Sequence, residues 1–159
     1  MIDNSYEYQA LPKKRMASSA LFLNEEGKIL IVKPTYRRDW LLPGGVVEEY
    51  ESPHEACARE IREELSLDIL LGRLLCVEYL SQEREQTECV QFSFSGGMLS
   101  ETQIKDIQLP SDELSDYLFS PFEDAVRLLS PMLSKRLPYC LQALYENLTV
   151  YLEDGQRRC

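Results

Sequence analysis

The sequence predicts an α/β fold, an α/β/α sandwich in which a mixed sheet lies between helices. Three observations predict it. Runs rich in β-branched and aromatic residues alternate with helical stretches in the order strand, strand, helix, strand, strand, helix, helix. Residues 52–65 carry a sharply marked helix start followed by an uninterrupted helical stretch. The 159 residues are 44% hydrophobic and 28% charged, the composition of one ordinary globular domain spanning 1–159.

Residues 1–15 hold two tyrosines and the basic Lys13-Lys14-Arg15 cluster, and read as an arm or an edge strand. Residues 18–23 are largely apolar, residues 24–27 (Asn-Glu-Glu-Gly) form a turn, and residues 28–32 are β-branched, which together read as a hairpin. A polar loop with Arg37 and Arg38 leads to a short strand at residues 40–42, then to Pro43-Gly44-Gly45, where missing side chains permit a tight turn. Beyond the helix, residues 73–80 and 88–94 are strands joined by a charged turn. Residues 96–112 read as a polar loop and residues 117–120 as a short strand. Pro121 opens a helix to Leu129, with Glu123 and Asp124 where the helix dipole favours acids. A longer helix spans 132–147, with Pro138 expected to break or kink it, and residues 149–152 add an edge strand.

The net charge of −10 argues against nonspecific binding to nucleic acid or to an anionic membrane. A small anionic nucleotide stays compatible, because a bound cation supplies local positive charge. Five scattered cysteines without a CxxC indicate neither a disulfide framework nor a zinc site, and a reducing cytoplasmic location fits them. The N-terminal residues have no apolar run like that of a signal peptide.

Chemistry is concentrated in the first helix. Ser52 stands at the N-cap, Pro53 at the first helical position and Glu55 three residues after the cap, a capping box. Glu60, Glu63 and Glu64 follow at i, i+3 and i+4, in a stripe about 100° wide. Cys57, Ala58, Ile61 and Leu65 form an apolar stripe beside it. Like charges so spaced repel by a few tenths of a kcal/mol per pair, roughly. A hard divalent cation reverses that sign, since it seeks clustered oxygen ligands.

From Gly45, five residues lead to Glu51 and seven more to Arg59-Glu60-Ile61, with Glu63-Glu64-Leu65 one residue further on. With the preceding Trp40-Leu41-Leu42-Pro43-Gly44, this resembles the Nudix box, over residues 45–67. Ser66 departs from the family pattern, which has glycine near the helix end. A left-handed cap there costs a serine about 1 kcal/mol relative to glycine. The resemblance implies a Nudix-type sandwich that is MutT-like. It also implies metal-dependent hydrolysis of the pyrophosphate linkage in a nucleoside diphosphate derivative.

On that resemblance Glu60, Glu63 and Glu64, with the Gly44 carbonyl, would hold Mg²⁺ or Mn²⁺. Arg59 and Glu51 would orient helix and loop by an ion pair. The general base is a box glutamate, Glu60, or a distant carboxylate, Glu113 or Asp116. Arg37 and Arg38 are candidates to grip a phosphate and Gly45 to line the substrate site, while Trp40 either stacks on a base or, more readily, faces inward as a core residue. ADP-ribose hydrolases of the family it resembles often carry a proline shortly after the box, and residues 67–95 hold none, so the resemblance points towards a (deoxy)nucleoside triphosphate or modified nucleotide. An ADP-ribose or nucleotide-sugar pyrophosphatase and a catalytically silent nucleotide-binding regulatory module remain the alternatives. Unpaired strand edges at both ends leave a homodimer open.

Overall fold

The computed structural model describes Tyr8 and residues 10–158. Four helices and eight strands occur among them: β1 (Arg15–Leu23), β2 (Ile29–Pro34), β3 (Gly44–Val46), α1 (Pro53–Leu65), β4 (Leu74–Leu80) and β5 (Cys89–Met98) come first. They are followed by α2 (Glu101–Lys105), β6 (Leu114–Ser120), α3 (Phe122–Leu128), α4 (Pro131–Glu146), β7 (Val150–Glu153) and β8 (Gln156–Arg157). One sheet runs β6-β2-β1-β5-β4-β7-β8, and β3 pairs with β1 alongside it. The β1/β5 and β4/β7 pairs are parallel and the others antiparallel, so the sheet is mixed.

Both faces of the sheet are covered, which explains why Ala20, Leu21, Phe22 and Leu23 in central β1 are all buried. One face carries α1: Cys57, Ile61 and Leu65 pack with Ala20, Phe22 and Leu30. The opposite face carries α3 and α4, whose Ala125, Leu137, Cys140 and Ala143 pack with Leu21 and Ile31. Ile61 and Leu65 are fully buried, each worth about 2 kcal/mol of apolar transfer. That burial anchors α1 against β1 and so fixes where its acidic stripe lies.

The expected hairpin forms only in part. Leu23 pairs with Ile29, after which the strands splay and β3 pairs with residues 17–19 of β1. Residues 40–42 are not a strand: Trp40 and Leu41 make single bridges to Leu129 and Val32, and the strand begins at Gly44. Residues 96–112 are not wholly loop, because β5 runs to Met98 and α2 follows it. Ser100 and Gln103 cap α2 reciprocally, at 3.2 and 2.9 Å. Pro138 does not break α4, which runs from Pro131 to Glu146 with Leu133, Leu137, Cys140 and Ala143 held against the sheet. Tertiary burial there outweighs one lost backbone bond. Strand β7 is not an edge, since β8 covers it. Most of the N-terminal arm lies outside the described residues, although β1 takes up its Arg15. Among the described residues no helix is long and apolar enough to cross a membrane.

Candidate active site

The start of α1 is set by the capping box. Glu55 N–H donates to Ser52 Oγ at 3.2 Å, and Ser52 N–H donates to Glu55 Oε2 at 2.9 Å. The end is set by Ser66, left-handed at φ 58°, whose N–H donates to Arg62 O at 3.0 Å. The helix is thereby fixed in length and rotation beside the Gly44–Val46 strand.

Arg59 organises the acidic stripe. Its Nε and Nη2 donate to the two carboxylate oxygens of Glu51 at 2.8 and 3.0 Å, a bidentate pair, and Nη2 also donates to Val46 O at 3.1 Å. Its Nη1 donates to Glu60 Oε1 at 2.9 Å and to Glu63 Oε2 at 3.0 Å. The Arg59 hydrogen bond holds Glu51 below the usual carboxylate range, and Glu51 in turn accepts from Glu48 N–H at 3.1 Å. One guanidinium thus ties the loop after β3 to the helix.

Two glutamates of the stripe are raised above the usual carboxylate range. Burial pushes Glu64 up to about 8, against the bond it accepts from Gly44 N–H at 2.8 Å, with Glu60, Glu113 and Glu63 adding repulsion. Burial also raises Glu60, opposed by Arg59 and reinforced by Glu63 and Glu113. Carboxylates from α1 and from the loop before β6 therefore converge with a deficit of positive charge. Glu113 is carried there by backbone bonds: Thr35 N–H donates to its carbonyl at 2.9 Å. Asp116 lies within β6, accepts from its neighbour Tyr117 N–H at 2.8 Å, and is not among the charges that raise Glu60 or Glu64.

The two glycines of β3 are required by close approach. A Cβ on Gly45 would lie 2.3 Å from the Glu60 carboxyl carbon. Gly44 has φ +146°, and a Cβ there would lie 2.1 Å from Ser18 O. The backbone at Gly44–Gly45 is accordingly pressed between β1 and the acidic stripe.

Among the described residues no three acidic, histidine or cysteine side chains are gathered closely enough to cage a metal ion as they stand. Arg59 accounts for this, because it draws Glu60 and Glu63 to itself. The donor set nevertheless fits a hard divalent cation: half-buried carboxylates at Glu64, which has no ion-pair partner among the described residues, and at Glu60, which shares Arg59, beside the Gly44 backbone.

A cleft adjoins Gly44–Gly45, and Arg37 lies on its wall, paired with Asp39 at 3.4 Å. Arg38 and Trp40 are not wall residues. Arg38 is exposed and its carbonyl accepts from Lys33 Nζ. Trp40 packs against the α3–α4 core, where its N–H donates to Leu128 O at 3.0 Å and its carbonyl accepts from Ser130 N–H at 3.1 Å. Its ring is spent on joining the loop to those helices.

The family model for the NUDIX domain matches residues 13–143. The chain belongs to the NUDIX domain family. Diphosphoinositol polyphosphate phosphohydrolase 2 of Rattus norvegicus is 39% identical over 74 residues, 46% of this chain and 41% of that protein. The chain thus spans under half the length of such relatives. Among solved structures, the MutT protein of Methanosarcina mazei Go1 superposes with a TM-score of 0.68 at 24% identity, covering 87% of this chain and 99% of that one. The NUDIX domain of NrtR from Shewanella oneidensis, solved with ADP ribose, gives a TM-score of 0.70 at 18% identity, covering 92% and 99%. These likenesses establish a NUDIX fold. Three features of this NUDIX domain escaped the sequence. Among the described residues the Ser18 hydroxyl is buried without a partner, Arg136 and Glu78 form a buried pair, and the wall of the cleft carries several basic side chains. Lys135-Arg136 follows a Ser-Pro helix start, but nothing local says that the pair borders a cleft.

Proposed function

We propose that this chain hydrolyses the pyrophosphate linkage of an organic diphosphate with Mg²⁺ or Mn²⁺ as cofactor. The observation that carries the reading is the convergence of Glu60, Glu64 and Glu113, with Glu60 and Glu64 raised by burial and mutual repulsion, against a glycine backbone that opens onto a cleft. Glu60, Glu64 and the Gly44 carbonyl would hold the cation, and Glu63 would join them once released from Arg59. When bound, the cation offsets phosphate charge and makes phosphorus more open to attack.

The chain's own groups do the rest. Gly44 and Gly45, lacking side chains, let a diphosphate approach the backbone. Arg59 fixes Glu60 against Glu51. Water attacks one phosphorus, the bridging P–O bond breaks, and the leaving group departs as a phosphorylated fragment. The proton from water passes to a carboxylate, Glu60 or Glu113, within reach of the same group. The related phosphohydrolases are named for a diphosphate-bearing substrate, which supports the reaction class. A nucleoside diphosphate derivative, as a nucleoside triphosphate or modified nucleotide, is the starting substrate class.

The test is product release across nucleoside triphosphates, deoxynucleoside triphosphates, ADP ribose and a diphosphoinositol polyphosphate, with Mg²⁺, with Mn²⁺ and with a chelator. Turnover of at least one diphosphate that stops in chelator is expected. Tight binding without turnover of any would replace the hydrolase with a regulatory binding module.

A further inference from the structure

The two margins of the sheet differ. On one side the last strand is β8, two residues long, a length that by itself guards an edge. On the other side lies β6, seven residues long, which among the described residues pairs only with β2. That pairing runs without a register shift from Asp116 to Ser120, and its one shift lies at the start, where Leu114 meets Pro34. Every second N–H and C=O along the outer rim therefore points away from the sheet. Soluble proteins blunt such a rim with lysine, proline or a bulge. The stretch Leu-Ser-Asp-Tyr-Leu-Phe-Ser holds no lysine or proline, and Asp116 is its one charge.

Apolar surface adjoins the rim. Residues of β6 and α3 form a groove of about 360 Å³, with Leu118, Phe119, Pro121 and Leu128 on its wall beside Asp124 and Arg127. Leu118, Phe122 and Leu128 are all exposed, Leu118 by 41%. The groove shares no lining residue with the cleft beside Gly44 and Gly45, so covering the rim does not require closing that cleft.

The strand is complementary to itself. Turned about a two-fold axis at Tyr117, an antiparallel second copy sets Asp116 opposite Leu118, Ser115 opposite Phe119 and Tyr117 opposite Tyr117. No like charges then face each other, and an aromatic pair stands at the centre. The same rotation carries each Asp116 to the other copy's Leu118, whose groove also holds Arg127. The Arg127 side chain is 79% exposed, and its contact with Asp124 is a loose 3.8 Å, which leaves it able to meet Asp116 across the axis. Because the axis repeats every contact, Leu118 is covered twice and two opposite-charge pairs form.

We propose that β6 is a homodimer interface, where two copies of this chain join their sheets edge to edge by antiparallel pairing about Tyr117. The strand begins one residue after Glu113, so the interface borders the acidic group. The pairing needs no step of the reaction proposed above.

The experiment is sedimentation equilibrium of the whole chain. A reversible monomer–dimer equilibrium is expected, with a dissociation constant of roughly 1–50 µM, as suits a small interface. L118K, which sets a charge against the partner strand, should weaken it at least about tenfold. R127E should also weaken it about tenfold, since both pairs turn repulsive. D116R/R127E, which swaps the two signs, should restore it to within about threefold of wild type. Circular dichroism and urea midpoints confirm that the variants fold like the wild type. A wild type that stays monomeric up to about 200 µM overturns the interface. A dimer that L118K leaves unchanged overturns it too, since the contact then lies elsewhere. A double variant no stronger than R127E overturns the two-fold pairing about Tyr117.

Discussion

Replacing Glu64 by glutamine should stabilise the protein at pH 8 in the presence of chelator while abolishing turnover. The Glu64 carboxyl ionises at about 8 in the folded chain, against an ordinary value of 4.5. Between those values the folded chain keeps a proton that the unfolded chain has released. Stability contributed by the neutral carboxyl is thus complete below about 4.5 and is lost as pH rises towards 8. At 1.36 kcal/mol per unit, roughly 3 kcal/mol of that loss falls between pH 5 and pH 8. Glutamine has no such titration, and its amide oxygen can still accept from Gly44 N–H. Urea unfolding at the two pH values measures the difference. With a slope of about 2 kcal/mol/M, the wild-type midpoint should drop by about 1.5 M relative to the variant between pH 5 and pH 8. Parallel losses in both proteins would refute the assignment of Glu64 as a half-buried carboxyl short of counter-charge.

Three further outcomes follow from the same geometry. Mn²⁺ added at pH 8 should raise the melting temperature of the wild type by several degrees, about 1–2 kcal/mol of linkage, and leave E64Q nearly unmoved; equal shifts would remove Glu64 from the ligand set. The two glycines should separate in effect. G44A meets backbone at 2.1 Å and should lose about 2–4 kcal/mol in denaturant unfolding, whereas G45A meets a movable carboxylate at 2.3 Å and should fold normally with at least about tenfold lower kcat. Ser66 is left-handed and its hydroxyl donates to Gln108 O at 3.2 Å, so S66G should gain about 0.5–1 kcal/mol net, read from the urea midpoint.

What could be read from the sequence was what is encoded locally. The α1 cap, the rotation of its acidic and apolar stripes and the left-handed Ser66 all follow from neighbours within a few residues, and the structure reproduces each. The second capping box, Ser100 with Gln103, had the same signature and was overlooked because α2 is one short turn inside polar sequence. Pairing of β3 rather than residues 40–42 with β1 depends on Gly44 fitting against Ser18, a contact between distant segments. For Trp40 the sequence offers a base-stacking role or, more readily, an inward-facing core position, and the core position holds because α3 and α4 arrive some 90 residues later to cover it. The cleft is assembled from β1, the β4–β5 turn and α4, so no single stretch announces it. Charge convergence is likewise tertiary. Of the two distant acids, Glu113 before β6 and Asp116 within it, only Glu113 is carried into the acidic group, through Thr35.

The most direct test of the account is a titration of Mg²⁺ and of Mn²⁺ against turnover of whichever diphosphate the wild type cleaves best. E60Q and E64Q are measured beside it at matched folded concentration. The account predicts saturable metal activation in the wild type. It also predicts a fall of about a hundredfold or more in kcat for each variant, with folding retained. Undiminished turnover in either variant, or full wild-type turnover in chelator, would contradict it.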